Sequence, residues 1–183
     1  SDVCSSDLYT GRSPEGCPKP IYPKFHVFLF SVKEIKKMAF SSYYPQLVSQ
    51  RRELHQWPEP GWTEFTTTYY LVKKLKEWGY DVLLGTKVVN PDAVLGRSEK
   101  DVEAGLQAAR DHHVPEEFLK ATEGYTGAVG IFDSGRPGPT LAMRFDIDCI
   151  PVQETTDAAH IPTKEGFRSK HDGYMHACGH DCH

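Results

Sequence analysis

Residues with metal-ligand chemistry are concentrated at the C-terminal end of the chain, in "MHACGHDCH", Met175–His183. His176, Cys178, His180, Asp181, Cys182 and His183 all fall there. Thiolate and imidazole are the main ligands of zinc and related ions. Cys178 and His180 flank Gly179 and stand at i and i+2, so they cannot share one helix face. They must act from an irregular segment, and Gly179 gives the backbone that freedom. The spacing is not the C-x-x-C of a redox protein or zinc ribbon. A buried cysteine beside surface histidines, or a structural zinc knot, would use the same residue types. The density of donors favours a metal site over both.

A second cluster is "FDIDCIP", Phe145–Pro151. Side chains two apart on an extended chain face the same way, so Asp146 and Asp148 could point into one site. Neighbouring carboxylates repel unless a cation or a proton intervenes. Taken alone, D-x-D fits a solvated turn at least as well. Together the two clusters suggest a hydrolytic metal centre. Metals lower the pKa of bound water and polarise a scissile carbonyl, and a carboxylate base shuttles the proton to the leaving amine.

The elements that must position these residues follow from pattern. Tyr44 to about His55 has helical spacing, ended by Pro58-Glu59-Pro60-Gly61. Thr63 is placed to cap a second helix over Glu64–Trp78, with Phe65, Tyr69, Val72, Leu75 and Trp78 as its apolar stripe. Gly79 suits its stop. Asp81–Leu84 reads as a short strand. The polar stretch that follows carries helices at Val102–His112 and after Pro115. His112 and His113 fit a solvated helix end better than a metal site. "GAVGIFD" and "TLAMRF", Thr140–Phe145, read as two strands joined by the turn "SGRPGPT" into a hairpin. After Pro151 the chain is loop-like to Met175, a tail expected to wrap towards the site.

Bulk properties narrow the class. With 183 residues, the chain can bury one real core. A formal net charge of -4 argues against a broad nucleic-acid footprint. No apolar run approaches the ~20 residues of a membrane span. "FHVFLFSV" is too short and is followed by "KEIKK" rather than a signal-peptide cleavage site. Five cysteines do not make an even disulfide framework. Cysteines grouped with histidines fit a reducing cytoplasm and metal chemistry.

Both ends invite a reading at the level of the gene. "SDVCSSDL" can be encoded by the end of a short-read sequencing adapter read in frame. Lys33-Glu34 can be encoded by a ribosome-binding-like AAGGAG ahead of Met38. The expectation is that residues 1–37 are adapter plus untranslated leader. Residues 38–183 would then be coding sequence that stops inside the metal motif.

"RRELHQWPEPGWTEF", "LAMRFDIDCIPVQE" and "GYMHACGHDCH" occur in this order. In these motifs the chain resembles the N-terminal part of the metal-dependent amidohydrolases of the aminoacylase/carboxypeptidase superfamily, in the auxin-conjugate and hippurate hydrolase branch. "GWTEF", "VVN", the long insert up to "EGYTG", and "DSGRPGP" point within that branch to the enzymes acting on p-aminobenzoyl-glutamate. The resemblance implies an α/β fold, a metallopeptidase-like catalytic domain with a central sheet flanked by helices. It also implies an inserted lid and dimerisation domain that this chain lacks.

The resemblance further implies two divalent metal ions, Mn or Zn, with Cys178 and His180 as ligands. It gives Asp148 a catalytic role as the carboxylate that helps hold the metal environment. Asp146 stands where relatives have a ligating His, so it and Asp181 are candidate metal or outer-shell groups; Asp181 is also a candidate helix cap. The general base, a Glu-Glu pair, is expected beyond His183, as are two more His ligands. The chain as written is therefore expected to be inactive and to bind metal weakly. The implied substrate is a small-molecule N-acyl or aroyl amino acid, p-aminobenzoyl-glutamate first. The implied partner is a second copy or a homologous subunit, in a homodimer or hetero-oligomer, with no nucleic acid or membrane. A general N-acyl-amino-acid or dipeptide hydrolase of the same fold is the alternative enzyme, and a non-catalytic metal-binding module the alternative of another class.

Overall fold

Proline and glycine punctuation sets the first two helices. The computed structural model describes residues 40–183; the leader boundary and the Met38 start lie outside the described residues. Helix α1 spans Phe40–Gln56 and ends where Pro58 and Pro60 withdraw backbone donors. Helix α2 spans Phe65–Glu77. Phe65 and Val72 are buried on its inner face and Tyr69 packs beside them. Trp78, expected in the same stripe, is 59% exposed. It occupies the C-cap, where Gly79 at φ +83° turns the chain away from the core.

Thr63 does not cap α2. Its hydroxyl donates to the Pro60 carbonyl at 2.7 Å, because the helix begins later than the spacing predicts. The Glu59 carboxylate does the capping, accepting the Thr66 and Thr67 N–H groups at 3.1 and 2.7 Å. One carboxylate thereby satisfies two of the donors that every helix start leaves open, at the positive end of the dipole.

Strand β1, Asp81–Leu83, pairs antiparallel with β2, Val129–Ile131, with Asp81 opposite Ile131. The polar insert between them supplies α3, Glu99–Asp111, and α4, Glu116–Ala121. The start of α3 precedes the expected Val102 because Ser98 accepts the Asp101 N–H as its N-cap. Val102, Ala109, Val114, Phe118 and Leu119 of this insert pack on Phe65 and Val72 to make the core. Burying each of the Val, Leu and Phe side chains contributes about 1.5–3 kcal/mol. Gly105 lets α3 approach the chain before α2, since a Cβ there would lie 2.8 Å from Thr63 Cβ.

The fold is α/β, with a two-stranded sheet among the described residues. The expected strand Thr140–Phe145 and its hairpin do not form. The partner of β2 is β1, and Thr140–Phe145 has no ladder neighbour among the described residues. Leu141, Met143 and Phe145, the apolar alternation that suggested a strand, are 80%, 69% and 54% exposed. Alternation specifies a face, but a strand also needs a partner for its N–H and C=O groups. The tail after Pro151 contains one short helix, α5, Ile161–Lys164, with Pro162 in its first turn, where a missing N–H costs nothing.

Two backbone bridges position the chemistry. Cys149 pairs with Pro60 in parallel, its N–H donating to the Glu59 carbonyl at 2.9 Å. Ile150 pairs antiparallel with Met175 through bonds of 3.3 and 3.2 Å. The D-x-D segment therefore lies between the proline loop and the start of the His/Cys motif. No helix among the described residues is long and apolar enough to cross a membrane.

Candidate metal centre

Gly179 sits at φ +86° and opens a single 3₁₀ turn, His180–Cys182. This left-handed conformation strongly favours glycine, and it sends His180 and Asp181 in different directions. His180 turns towards the D-x-D segment. Its Nδ1 lies 2.8 Å from Asp148 Oδ1 and 3.0 Å from the Asp148 carbonyl. Asp146, His180 and His183 each offer a donor atom, and these atoms lie within 4.8 Å of one another. The His180 and His183 rings are 5.0 Å apart, and the Asp146 N–H faces His183 Nδ1 at 3.3 Å. Arg144 pairs with the Asp146 carboxylate from the solvent side.

The two aspartates thus face one histidine, as the i, i+2 spacing suggests. Cys178 stands apart: its thiol is free and exposed, outside this donor group. Cys182 is also free and exposed. Asp181 is also outside this donor group; it is buried and turns inward towards α1. His176 is buried, and its Nδ1 has no hydrogen-bond partner among the described residues. Burial holds its pKa below the ordinary imidazole value.

Several residues of the site carried no sequence signal on their own. Asp181 Oδ2 meets His55 Nδ1 at 2.7 Å and Arg51 Nε at 2.8 Å. The other His55 nitrogen, Nε2, meets Glu154 Oε1 at 2.9 Å. Glu154 also contacts His160 Nε2 at 2.8 Å and accepts the Ser169 N–H at 2.5 Å. His55, Glu154 and Asp181 are all nearly inaccessible. Burial alone would lower the His55 pKa, but its bonds to Asp181 and Glu154 outweigh it and hold the pKa above the ordinary value. Burial likewise pushes Asp181 and Glu154 up. The hydrogen bonds from His55, with Arg51 on Asp181 and His160 and Ser169 on Glu154, pull both below the usual carboxylate range. Arg51 and His55 are four apart in "RRELH", hence on one helix face; that spacing was the available hint.

Two more carboxylates underlie the site. Glu59 is raised by burial against the bonds from Thr66 and Thr67. Glu64 is pushed up to about 7 by burial, and Thr126 donates to it at 2.5 Å. Burial and then the neighbouring Asp148 charge push the Cys149 thiol up to about 12, so it is an inert packing group.

Sequence comparison finds the chain's relatives among hydrolases. Among its relatives, a Haemophilus influenzae homolog of one of the subunits of p-aminobenzoyl-glutamate hydrolase is 50% identical over 139 residues, 75% of this chain and 33% of that protein. An indole-3-acetyl-aspartic acid hydrolase of Enterobacter agglomerans is 44% identical over 141 residues, 76% of this chain and 32% of that protein. In structure, the chain is similar to an aminobenzoyl-glutamate utilization protein from Klebsiella pneumoniae. The TM-score is 0.56 at 34% identity, over 72% of this chain and 30% of that one. No protein-family model matches the chain. The chain spans about a third of the length of the curated relatives it matches.

Proposed function

We propose that this chain is the N-terminal part of a metal-dependent amidohydrolase that cleaves the amide of an N-acyl or aroyl amino acid, p-aminobenzoyl-glutamate first among them. The observation that carries the reading is the convergence of Asp146, His180 and His183, with Asp148 on Nδ1 of His180, inside a chain 50% identical to a relative of that name. A carboxylate and two imidazoles within reach of each other are a donor set that suits zinc or manganese.

His180 and Cys178 would hold the metal, with Asp146 and His183 as the further donors nearest His180. When bound, a divalent ion supplies Lewis acidity towards the scissile carbonyl and towards water. Asp148 fixes the direction of the His180 ring, as outer-shell carboxylates do for ligating histidines. Gly179 keeps the turn open. The Glu-Glu pair that the family uses for proton transfer is expected beyond His183, so turnover needs sequence outside residues 1–183. Two metal ions, a cytoplasmic setting, and a partner that is a second copy or a homologous subunit complete the proposal.

The test is a chimera in which residues 40–183 replace the matched stretch of the Haemophilus influenzae relative. Release of p-aminobenzoate from p-aminobenzoyl-glutamate is expected, and its loss in the His180→Ala chimera. A well-folded chimera with no turnover would overturn the reading. Turnover by the 183-residue chain alone would show that it carries its own general base.

A further inference from the structure

We infer that His55 is a positioning residue for the metal motif: through Nδ1 it holds the Asp181 carboxylate, and with it the turn that presents His180. This rests on the reading of His180 as a metal ligand.

The turn has little to hold it from within. Its backbone bonds run from Cys182 N–H to the Gly179 carbonyl at 2.9 Å and from His183 N–H to the His180 carbonyl at 3.2 Å. A 3₁₀ turn of this length has little stability of its own. His180 and His183 reach the D-x-D segment from its exposed side; the turn's one buried anchor among the described residues is Asp181, held on one oxygen by both His55 and Arg51 of α1. The backbone that carries His180, the next residue back, cannot shift far without moving Asp181.

The second His55 nitrogen sets this contact in a wider clamp. Nε2 reaches Glu154, which is itself held by His160 and the Ser169 N–H. One ring therefore joins α1, the tail after Pro151 and the metal motif, segments far apart in sequence. Phe167 packs edge-on against the ring at 5.6 Å, limiting its rotation. The two ring nitrogens have separable jobs: Nδ1 anchors the motif, and Nε2 anchors the tail.

Two substitutions separate them. An asparagine amide nitrogen takes the place of Nδ1, and a glutamine amide nitrogen the place of Nε2. His55→Asn retains a donor for Asp181, and His55→Gln retains one for Glu154. Two readouts on the full 183-residue chain decide: Co²⁺ affinity by visible absorption, and amide hydrogen exchange over residues 175–183. His55→Gln is expected to weaken Co²⁺ binding at least about tenfold, the scale for loss of an outer-shell partner, and to speed exchange in the motif. His55→Asn is expected to stay within about threefold of the parent and leave that exchange unchanged, though both variants melt earlier. Equal losses in the two variants, or none in either, would overturn the inference. If the parent binds no Co²⁺ while His55→Gln alone loosens the motif, the clamp stands and the metal reading is decided by the His180→Ala chimera.

Discussion

Asp148 Oδ1 and His180 Nδ1 meet at 2.8 Å across 32 residues of chain. The contact leaves His180 Nε2 as the nitrogen free to bind a ligand. Replacing Asp148 with Ala should therefore cost metal affinity more than fold stability. The expected loss is about 10–100-fold in Zn²⁺ or Mn²⁺ affinity, read by isothermal titration, with Asp148→Asn between the variant and the parent. Equal affinity in Asp148→Ala would mean the contact orients nothing.

Glu64 gives a pH dependence. In the folded chain its carboxyl holds a proton up to about 7, whereas in the unfolded chain it ionises near the ordinary carboxylate value. A group raised on folding contributes its full stability below the unfolded pKa, and that contribution is lost as pH rises through the folded one. Glu64→Gln keeps an acceptor for Thr126 and never ionises. It should be more stable than the parent by on the order of 2 kcal/mol at pH 8, with the gap closing towards pH 4. Urea unfolding at the two pH values checks this; a gap independent of pH would contradict it.

At the start of α2, Glu59→Ala removes the acceptor for the Thr66 and Thr67 N–H groups. A loss of about 1–3 kcal/mol is expected, as for a helix cap with buried donors left open. Thr63→Ala should cost less, because its hydroxyl bonds only the Pro60 carbonyl. The reverse order of urea midpoints would restore Thr63 as the cap.

Gly105→Ala sets two effects against each other. Alanine gains up to about 1 kcal/mol of helix propensity over glycine. The new Cβ, however, would lie 2.8 Å from Thr63 Cβ and 3.2 Å from Thr63 backbone atoms. Backbone cannot move aside cheaply, so overpacking at about 1–3 kcal/mol should win and the melting temperature should fall. A rise would mean that α3 can shift away from Thr63.

Cys178→Ser tests a ligand implied by family likeness rather than by contact, since the thiol is exposed in this structure. The substitution should weaken Co²⁺ binding and abolish the thiolate charge-transfer absorption. An unchanged spectrum would leave Asp146, His180 and His183 as the donors.

The sequence by itself determined whatever depends on near neighbours. Proline and glycine ended α1 and α2, a helical pattern marked α3 from Val102 onward, and the density of His and Cys marked the candidate metal site. The i, i+2 spacing also put Asp146 and Asp148 towards one place. Contacts distant in sequence were decided by the tertiary structure. Whether Leu141, Met143 and Phe145 form a strand depends on a partner for their backbone, which alternation cannot supply. Whether Thr63 or Glu59 caps α2 depends on where the proline loop folds back. Asp181 differs from Asp148 in role only because Gly179 sends it inward to Arg51 and His55. A lone histidine in a helix carries no sign of the two carboxylates that will enclose it. Those arrive from chain 99 and 126 residues away, and only burial, which makes an unpaired charge costly, brings the three together.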